Sequence, residues 1–560
     1  MKKNGNGLFR LTRRGFVKSS LGTAAAGAGM LLAGCGGSGS AGTGSSAAGT
    51  GNKVATIAVA TAAVNLDPIV AGDSVSMCMI SNVVEGLFSI DENDQVQPAQ
   101  CESYDVSDDQ LTYTFHLRDG LKWSNGDPVT AADYVYAWQR NASATGDAAA
   151  FQYQIEMASI KNQAAVLAGE APVTDLGISA PDDKTIVVET ENAVPFLLDI
   201  LAFTPWVPVN QKFCEEKDTN FGLTKDDILY NGPFTLTQYD TAGNTFTMTK
   251  NPDYWDAENV DLDEVNFQDI PDTQSAVMAY ENGTVDYVQL SGDLVEQYKD
   301  NEGFKVGPGI FNYYFMINTK VDGYDSLAFR QAIAYCIDRA DICDNILKNG
   351  SQPVNQMCMQ GLWSNEDGKD FAEDSEQFFD YDPEKAKELW EQAKAETDRR
   401  EITITYDQEK DFAQNACAYI QSALQNTLDG LTVNIQATPK KNRLQMAYDH
   451  NFEILFWGWG PDYSDATAIL AMYKSDHPSN YSQWASDDFD TTYDKANTTD
   501  AGDASARWED LKHCNAVCTE QAVCIPIFQE GLATLTQSSL HGKTDHITGI
   551  DCFYKYTTKD

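Results

Sequence analysis

The chain has 560 residues, 42% of them hydrophobic and 11% aromatic, which is globular composition and too long for one ordinary core, so two or three domains are expected. Its 83 acidic side chains against 39 basic ones give a formal net charge of -44. Such a surface repels nucleic acid and anionic headgroups, which argues against DNA or RNA binding; it suits solubility outside the cell or attraction of cationic ligands.

The N-terminus is basic, then weakly apolar from Leu21 to Gly34, a run of 14 residues that falls short of a bilayer core of about 30 Å. Within the basic part, TRRGFVK at 12–18 resembles a twin-arginine export signal, which a receptor reads. The run ends in Leu32-Ala33-Gly34-Cys35, which resembles a bacterial lipobox and implies cleavage before Cys35 with a diacylglycerol on its thiol. Residues 1–34 are therefore expected to be a signal peptide. Their removal takes away six positive charges and no acidic ones, leaving the mature chain more acidic still. Residues 35–52, rich in Gly and Ser, read as a flexible tether spanning roughly 20–25 Å. With Cys35 set aside, eleven of the twelve cysteines remain, too sparse for a disulfide scaffold, and their pairing cannot be read from spacing.

Further along, Lys53–Ala60 predicts a buried strand, Leu66-Asp67-Pro68 a turn, and Asn82 to Leu87 the course of a helix. Alternation marks a strand at Leu111–Leu117, and Thr130 with Asp133 three residues on opens a helix in which Val135 and Trp138 form the apolar face. Strands are expected at Thr185–Glu189, Phe234–Tyr239, Thr245–Thr249 and Val265–Asp269, and one long amphipathic helix over Asp325–Leu347. A helix at Pro383–Thr397 precedes strand Ile402–Tyr406, helix Phe412–Leu428 and strand Thr432–Ala437, a βαβ order. His513, Cys514 and Cys518 have the spacing of a shared helix face, but no second His/Cys cluster stands nearby; packing by small thiols is the reading, with no metal and no cofactor expected. The fold class is mixed α/β with more than one sheet.

Four ordered segments carry a family resemblance: YTFHLRDGLKWSNGDPVTAADYVYAWQR at 113–140, NGPFTL at 231–236 with NPDYWD at 251–256, FRQAIAYCIDRADI at 329–342, and FWGWGPDYSDA at 456–466. Together they are similar to the dipeptide/oligopeptide/nickel-type extracellular solute-binding proteins of bacterial ABC importers, closest to the oligopeptide-binding members. Residue chemistry alone gives most of these positions structural roles. Gly120, Gly126 and Pro128 turn a hairpin, Trp123, Tyr254 and Trp255 pack loops, and Arg330 with Asp338-Arg339 caps or pairs helix ends. The resemblance implies a two-lobed clamshell with an additional inserted domain. Lobe one would hold 53–88, 177–305 and 525–560, the insert 89–176, and lobe two 306–524. Ligand would sit between lobes that close about a hinge.

For the site, burying a peptide ammonium costs several kcal/mol unless it is paired, so one carboxylate at the cleft is the economical anchor. The resemblance assigns that role to Asp462 in Gly458-Trp459-Gly460-Pro461-Asp462-Tyr463, where chemistry alone reads a turn aspartate after proline. It implies that Trp459 walls the cleft, that Gly460 and Tyr463 beside it are ligand-binding positions, that Tyr313 and Tyr314 line the cleft, and that Ser76, Met77 and Cys78 are an extended stretch whose backbone pairs with the ligand. The sequence departs from the family where the ligand carboxylate is handled: Phe456 and Ala447 replace basic residues and Lys440 an aromatic, leaving Arg443, Lys440 or Lys441 as substitutes or as surface charges. Short peptides, ABC permease subunits and the membrane, through the lipid on Cys35, are the expected partners of a monomer on the outer face of the cytoplasmic membrane. Nickel complexes, haem or oligosaccharides are alternative cargoes, and peptide signalling is an alternative role. A secreted hydrolase is the competing class, but neither GxSxG nor HExxH is present.

Overall fold

The computed structural model describes residues 52–240, 245–365, 367–548 and 552–560. The twin-arginine segment, Cys35 and the tether up to Gly51 lie outside the described residues. Among the described residues no helix is long and apolar enough to cross a membrane.

Two long strands, Phe304–Ile317 and Cys524–Thr536, run antiparallel through the middle of an eleven-stranded mixed sheet. To one side lie Tyr287–Leu290, Val54–Val59, Glu264–Asp269, Thr245–Lys250 and Phe234–Asp240; to the other lie Ile454–Trp459, Glu401–Asp407 and Thr432–Thr438. Alternate residues of the long strands enter different cores. Tyr313, Phe315 and Ile317 join Phe456, Ile525 and Ile527, while Tyr314 and Met316 join Leu455, Trp457 and Cys524. Strands buried on both faces show no polar alternation, so the periodicity that predicts the outer strands is silent on these. The pairing of the long strands slips register between Pro308 and Asn312 and again at Tyr313/Tyr314.

The outer elements follow the sequence closely. Thr185–Glu189 is a strand as expected, and Asp133 accepts a hydrogen bond from the Thr130 amide at 2.8 Å, closing the start of helix Ala131–Ala142. Glu401–Asp407 and Thr432–Thr438 pair in parallel across helix Asp411–Thr427, the βαβ unit. The packing roles of the motif residues are explicit: Tyr254 and Trp255 both donate to the buried Glu85 carboxylate, and Asn231 accepts the Glu85 amide at 2.7 Å. Burial raises the Glu85 carboxyl above its ordinary range, with the nearby Lys555 charge opposing.

Four expectations are corrected. The first helix is Ser74–Val83, not one running to Leu87, because Val84 is already extended. Ser76, Met77 and Cys78 therefore lie in a helix, not an extended stretch: the Met77 amide bonds Asp73, and Cys78 is tied to Cys552. Asp325–Leu347 is not one helix. Leu327–Tyr335 ends, and Asp338 starts a new turn by accepting from the Asp341 amide at 3.0 Å, followed by a wider π-helical stretch at Ile342–Leu347. His513 shares no face with Cys514 and Cys518: it is exposed beside Asp488, while both thiols are buried. Apart from the large sheet, Cys101–Val106, Thr112–Leu117, Thr185–Glu189 and Ile178–Asp182 form a four-stranded sheet of their own.

The C-terminal segment folds back on the first helix. Besides the Cys78–Cys552 disulfide, Asn82 bonds the Cys552 carbonyl and the Tyr554 amide, and Lys559 pairs with Asp286 at 2.7 Å.

Candidate functional site

Strand Ile454–Trp459 leaves the sheet at Gly460-Pro461, and both glycines of the motif are steric necessities. A Cβ at Gly458 would stand 2.6 Å from the Tyr313 ring, and one at Gly460 would stand 2.9 Å from the Ile310 carbonyl. The strand end therefore lies flat on the long strand beside it. Trp459 is half-buried and donates its indole N–H to the Ala468 carbonyl at 3.1 Å, which fixes the following turn.

Two aspartates three residues apart on that turn have opposite surroundings. Asp465 is fully buried and takes both terminal nitrogens of Arg507, at 2.6 and 2.8 Å, plus the Thr467 hydroxyl and amide. Asp462 is half-buried and, among the described residues, meets no cation. Its carboxylate accepts the Tyr153 hydroxyl at 2.5 Å, with the Gln154 side chain beside it and held in turn by the Trp206 indole at 2.9 Å. Burial pushes the Asp462 carboxyl up to about 6, against the Tyr153 and Gln154 hydrogen bonds, which lower it. A third carboxylate, Asp199, is pushed up to about 7 by burial and by the charge of Asp465. Across the same contact Tyr463 stacks on Phe196, centroids 4.7 Å apart, and its hydroxyl meets Thr467.

The structure thus brings Asp462, Trp459, Gly460 and Tyr463 together. It does not bring the expected tyrosines to them: Tyr313 is sandwiched between Phe456 and Phe528, and Tyr314 is fully buried in the opposite core. Nor does it bring Ser76 or Cys78, both buried in their helix. Tyr153, Gln154, Asp199 and Arg507 were not legible as site residues: each stands alone in its stretch of sequence, and only the fold collects them. Lys440 and Lys441 are exposed, whereas Arg443 on the same helix is buried. Its guanidinium donates to the Phe456 carbonyl at 3.1 Å, lies 4.5 Å over the Trp457 ring, and stands 3.8 Å from Asp407. Among the described residues no group of three or more His, Cys, Asp or Glu stands close enough to hold a metal ion.

Comparison with known proteins agrees with this architecture. Residues 95–481 match the model of the bacterial extracellular solute-binding proteins, family 5. A dipeptide-binding protein of Lactococcus lactis is 30% identical over 509 residues, covering 88% of this chain and 92% of the relative. Among solved structures, the peptide-bound OppA of Listeria monocytogenes superposes with a TM-score of 0.76 at 29% identity, over 91% of this chain and 99% of that one. The substrate-binding domain of an oligopeptide ABC transporter from Bacillus anthracis does so with a TM-score of 0.77 at 33% identity, again over 91% and 99%. The chain belongs to the bacterial extracellular solute-binding proteins of family 5, a family of transport binders rather than enzymes.

Proposed function

We propose that this protein captures short peptides outside the cell and delivers them to an ABC permease, with Asp462 as the anchor for the peptide ammonium. The observation that carries this reading is the surroundings of Asp462. Its carboxylate is partly desolvated and meets only neutral donors, an arrangement that a ligand cation completes and that Asp465, already saturated by Arg507, does not offer. Its relatives include dipeptide- and oligopeptide-binding proteins, which supports the same cargo. The lobes would close about Phe304–Ile317 and Cys524–Thr536, where the strand pairing already slips register. A lipid on Cys35 would hold the monomer at the outer face of the membrane. Peptide signalling would use the same binding step.

The test is native mass spectrometry of the secreted chain with mixed peptides of two to eight residues, with and without N-acetylation. Free-amine peptides should be retained at one per chain, and retention should be lost on acetylation and in Asp462→Ala. Equal retention of acetylated peptides would remove the anchor, and nickel chelates and oligosaccharides would be tried next.

A further inference from the structure

Helix Ala504–Glu520 runs into strand Cys524–Thr536 through a turn of three residues. The turn is tightly held. The Ala522 amide donates to the Thr519 carbonyl at 2.8 Å, and Ala522 itself sits at a φ of 47°, in the left-handed region that a residue with a Cβ rarely adopts. Arg330 donates to the Gln521 carbonyl at 2.9 Å, and the Val523 carbonyl accepts the Ile317 amide of the neighbouring long strand at 3.1 Å. Reversing the chain in so few residues lays the start of the strand against the last turn of the helix. There the Cys524 sulfur stands 3.8 Å from the Cys518 carbonyl oxygen, and the two thiols are in contact. Both are wholly buried, in the core that also holds Cys358 and Cys514.

Of the four thiols in that core, Cys518 and Cys524 are the two fitted to bond. Cys514 lies one helical turn before Cys518, where Cβ atoms are about 5–6 Å apart, whereas a disulfide needs about 3.8 Å. Cys358 is within reach of the charge on Cys518 but not of a hydrogen bond, and Gln356 fixes its backbone by bonding both its amide and its carbonyl at 2.6 Å. The other free cysteines among the described residues lie in two different cores.

We propose that Cys518 and Cys524 form a second cystine of the exported protein, a site of oxidation that pins the end of the helix to the start of the long strand. A disulfide-bearing oxidant supplies the step. The Cys518 thiolate attacks one sulfur of that disulfide and expels its other half as a thiolate; Cys524 then attacks the Cys518 sulfur and expels the second half. Two protein thiols give up two protons and two electrons to make one bond, and the oxidant's disulfide becomes two thiols. Burial raises the Cys518 thiol well above its ordinary range, so exchange waits for the last helical turn to open. Helix ends open locally without unfolding the core, so closure does not require the rest of the chain to come apart. The bond is independent of what the protein binds.

The test is to incubate the folded, reduced protein with oxidised glutathione, alkylate the remaining thiols, and map the peptides by mass spectrometry with and without reduction. The peptides of Cys518 and Cys524 should appear joined, and unfolding without reductant should expose two thiols fewer than the Cys78–Cys552 bond alone leaves. Cys524→Ser, which frees Cys518, should expose one thiol more than the wild type, whereas Cys514→Ser should expose one fewer. Full alkylation of Cys518 and Cys524 after this treatment, or a bond from Cys518 to Cys514 or Cys358 in their place, would overturn the assignment. Should Cys524→Ser not fold, the peptide map of the wild type decides by itself.

Discussion

Asp465–Arg507 and Asp407–Arg443 are both buried carboxylate–guanidinium couples, yet only the first is complete. Asp465 and Arg507 meet in two short hydrogen bonds with Thr467 filling the remaining lone pairs, between the rings of Phe196 and Trp363. Asp407 and Arg443 stand 3.8 Å apart, where a carbonyl and an indole face do the rest. Desolvation penalises both couples, and only full pairing offsets it. A closed pair offsets its own desolvation; an open one does so only in part. The contrast repeats on the motif turn itself, where Asp465 is saturated and Asp462, three residues earlier, touches only neutral groups.

The strongest way to break the comparison is to remove one partner of each couple and compare unfolding in urea. Arg507→Met leaves Asp465 buried with no cation and should cost about 3–5 kcal/mol, whereas replacing both partners by apolar residues should cost far less. Arg443→Met gives up one hydrogen bond and a loose pair, and should cost about 1–3 kcal/mol. Equal losses would erase the distinction. Separating Cys78 from Cys552 by a double serine substitution should cost about 2–5 kcal/mol and leave peptide selectivity unchanged, since the bond lies in the first helix and the tail. Loss of selectivity there would mean that general loosening, not the site, sets the binding profile.

Finer effects depend on pH. The Asp462 carboxyl titrates near 6 and must be ionised to hold an ammonium. Affinity for free-amine peptides should therefore be level above pH 7 and fall by up to about tenfold per unit below 6, while acetylated peptides show no such slope. The smallest effect is on Asp199. Its folded-state value of about 7 lies above that of an unfolded aspartate, so between about pH 4 and 7 the folded chain binds more protons, and this group's contribution to stability declines as pH rises. Asp199→Asn should raise the thermal midpoint at pH 8 on the order of 2 °C and leave it unchanged at pH 5.

Legibility in the sequence followed burial. Half-buried strands such as Thr185–Glu189 and Thr245–Lys250 alternate and were predicted within a residue. The inner halves of the long strands, Asn312–Ile317 and Cys524–Phe528, are buried on both faces and show no alternation. Family motifs located the turn at Asp462, because its glycines answer to the Tyr313 ring and the Ile310 carbonyl. Motif position could not reveal that Ser76–Cys78 is helical, since Asp73 caps that helix from just outside the stretch. Nor could it reveal Tyr153, whose partner lies 309 residues away. Lys440, Lys441 and Arg443 were equivalent in sequence; one turn of helix separates the exposed pair from the buried cation.

The disulfide has a consequence for how the chain matures. Cys78 joins a partner 474 residues away, and the nine free cysteines among the described residues, each buried, fall between the two in sequence. An oxidant meeting the chain while it is still extended would offer Cys78 nine nearer thiols, whereas in the finished fold Cys552 already stands beside Cys78, Cα atoms 5.7 Å apart, and those nine are buried. The native bond is therefore favoured when folding precedes oxidation, so the state of Cys552 serves as a timestamp. A correctly closed bond records that the last stretch of chain had docked before the thiols met an oxidising compartment.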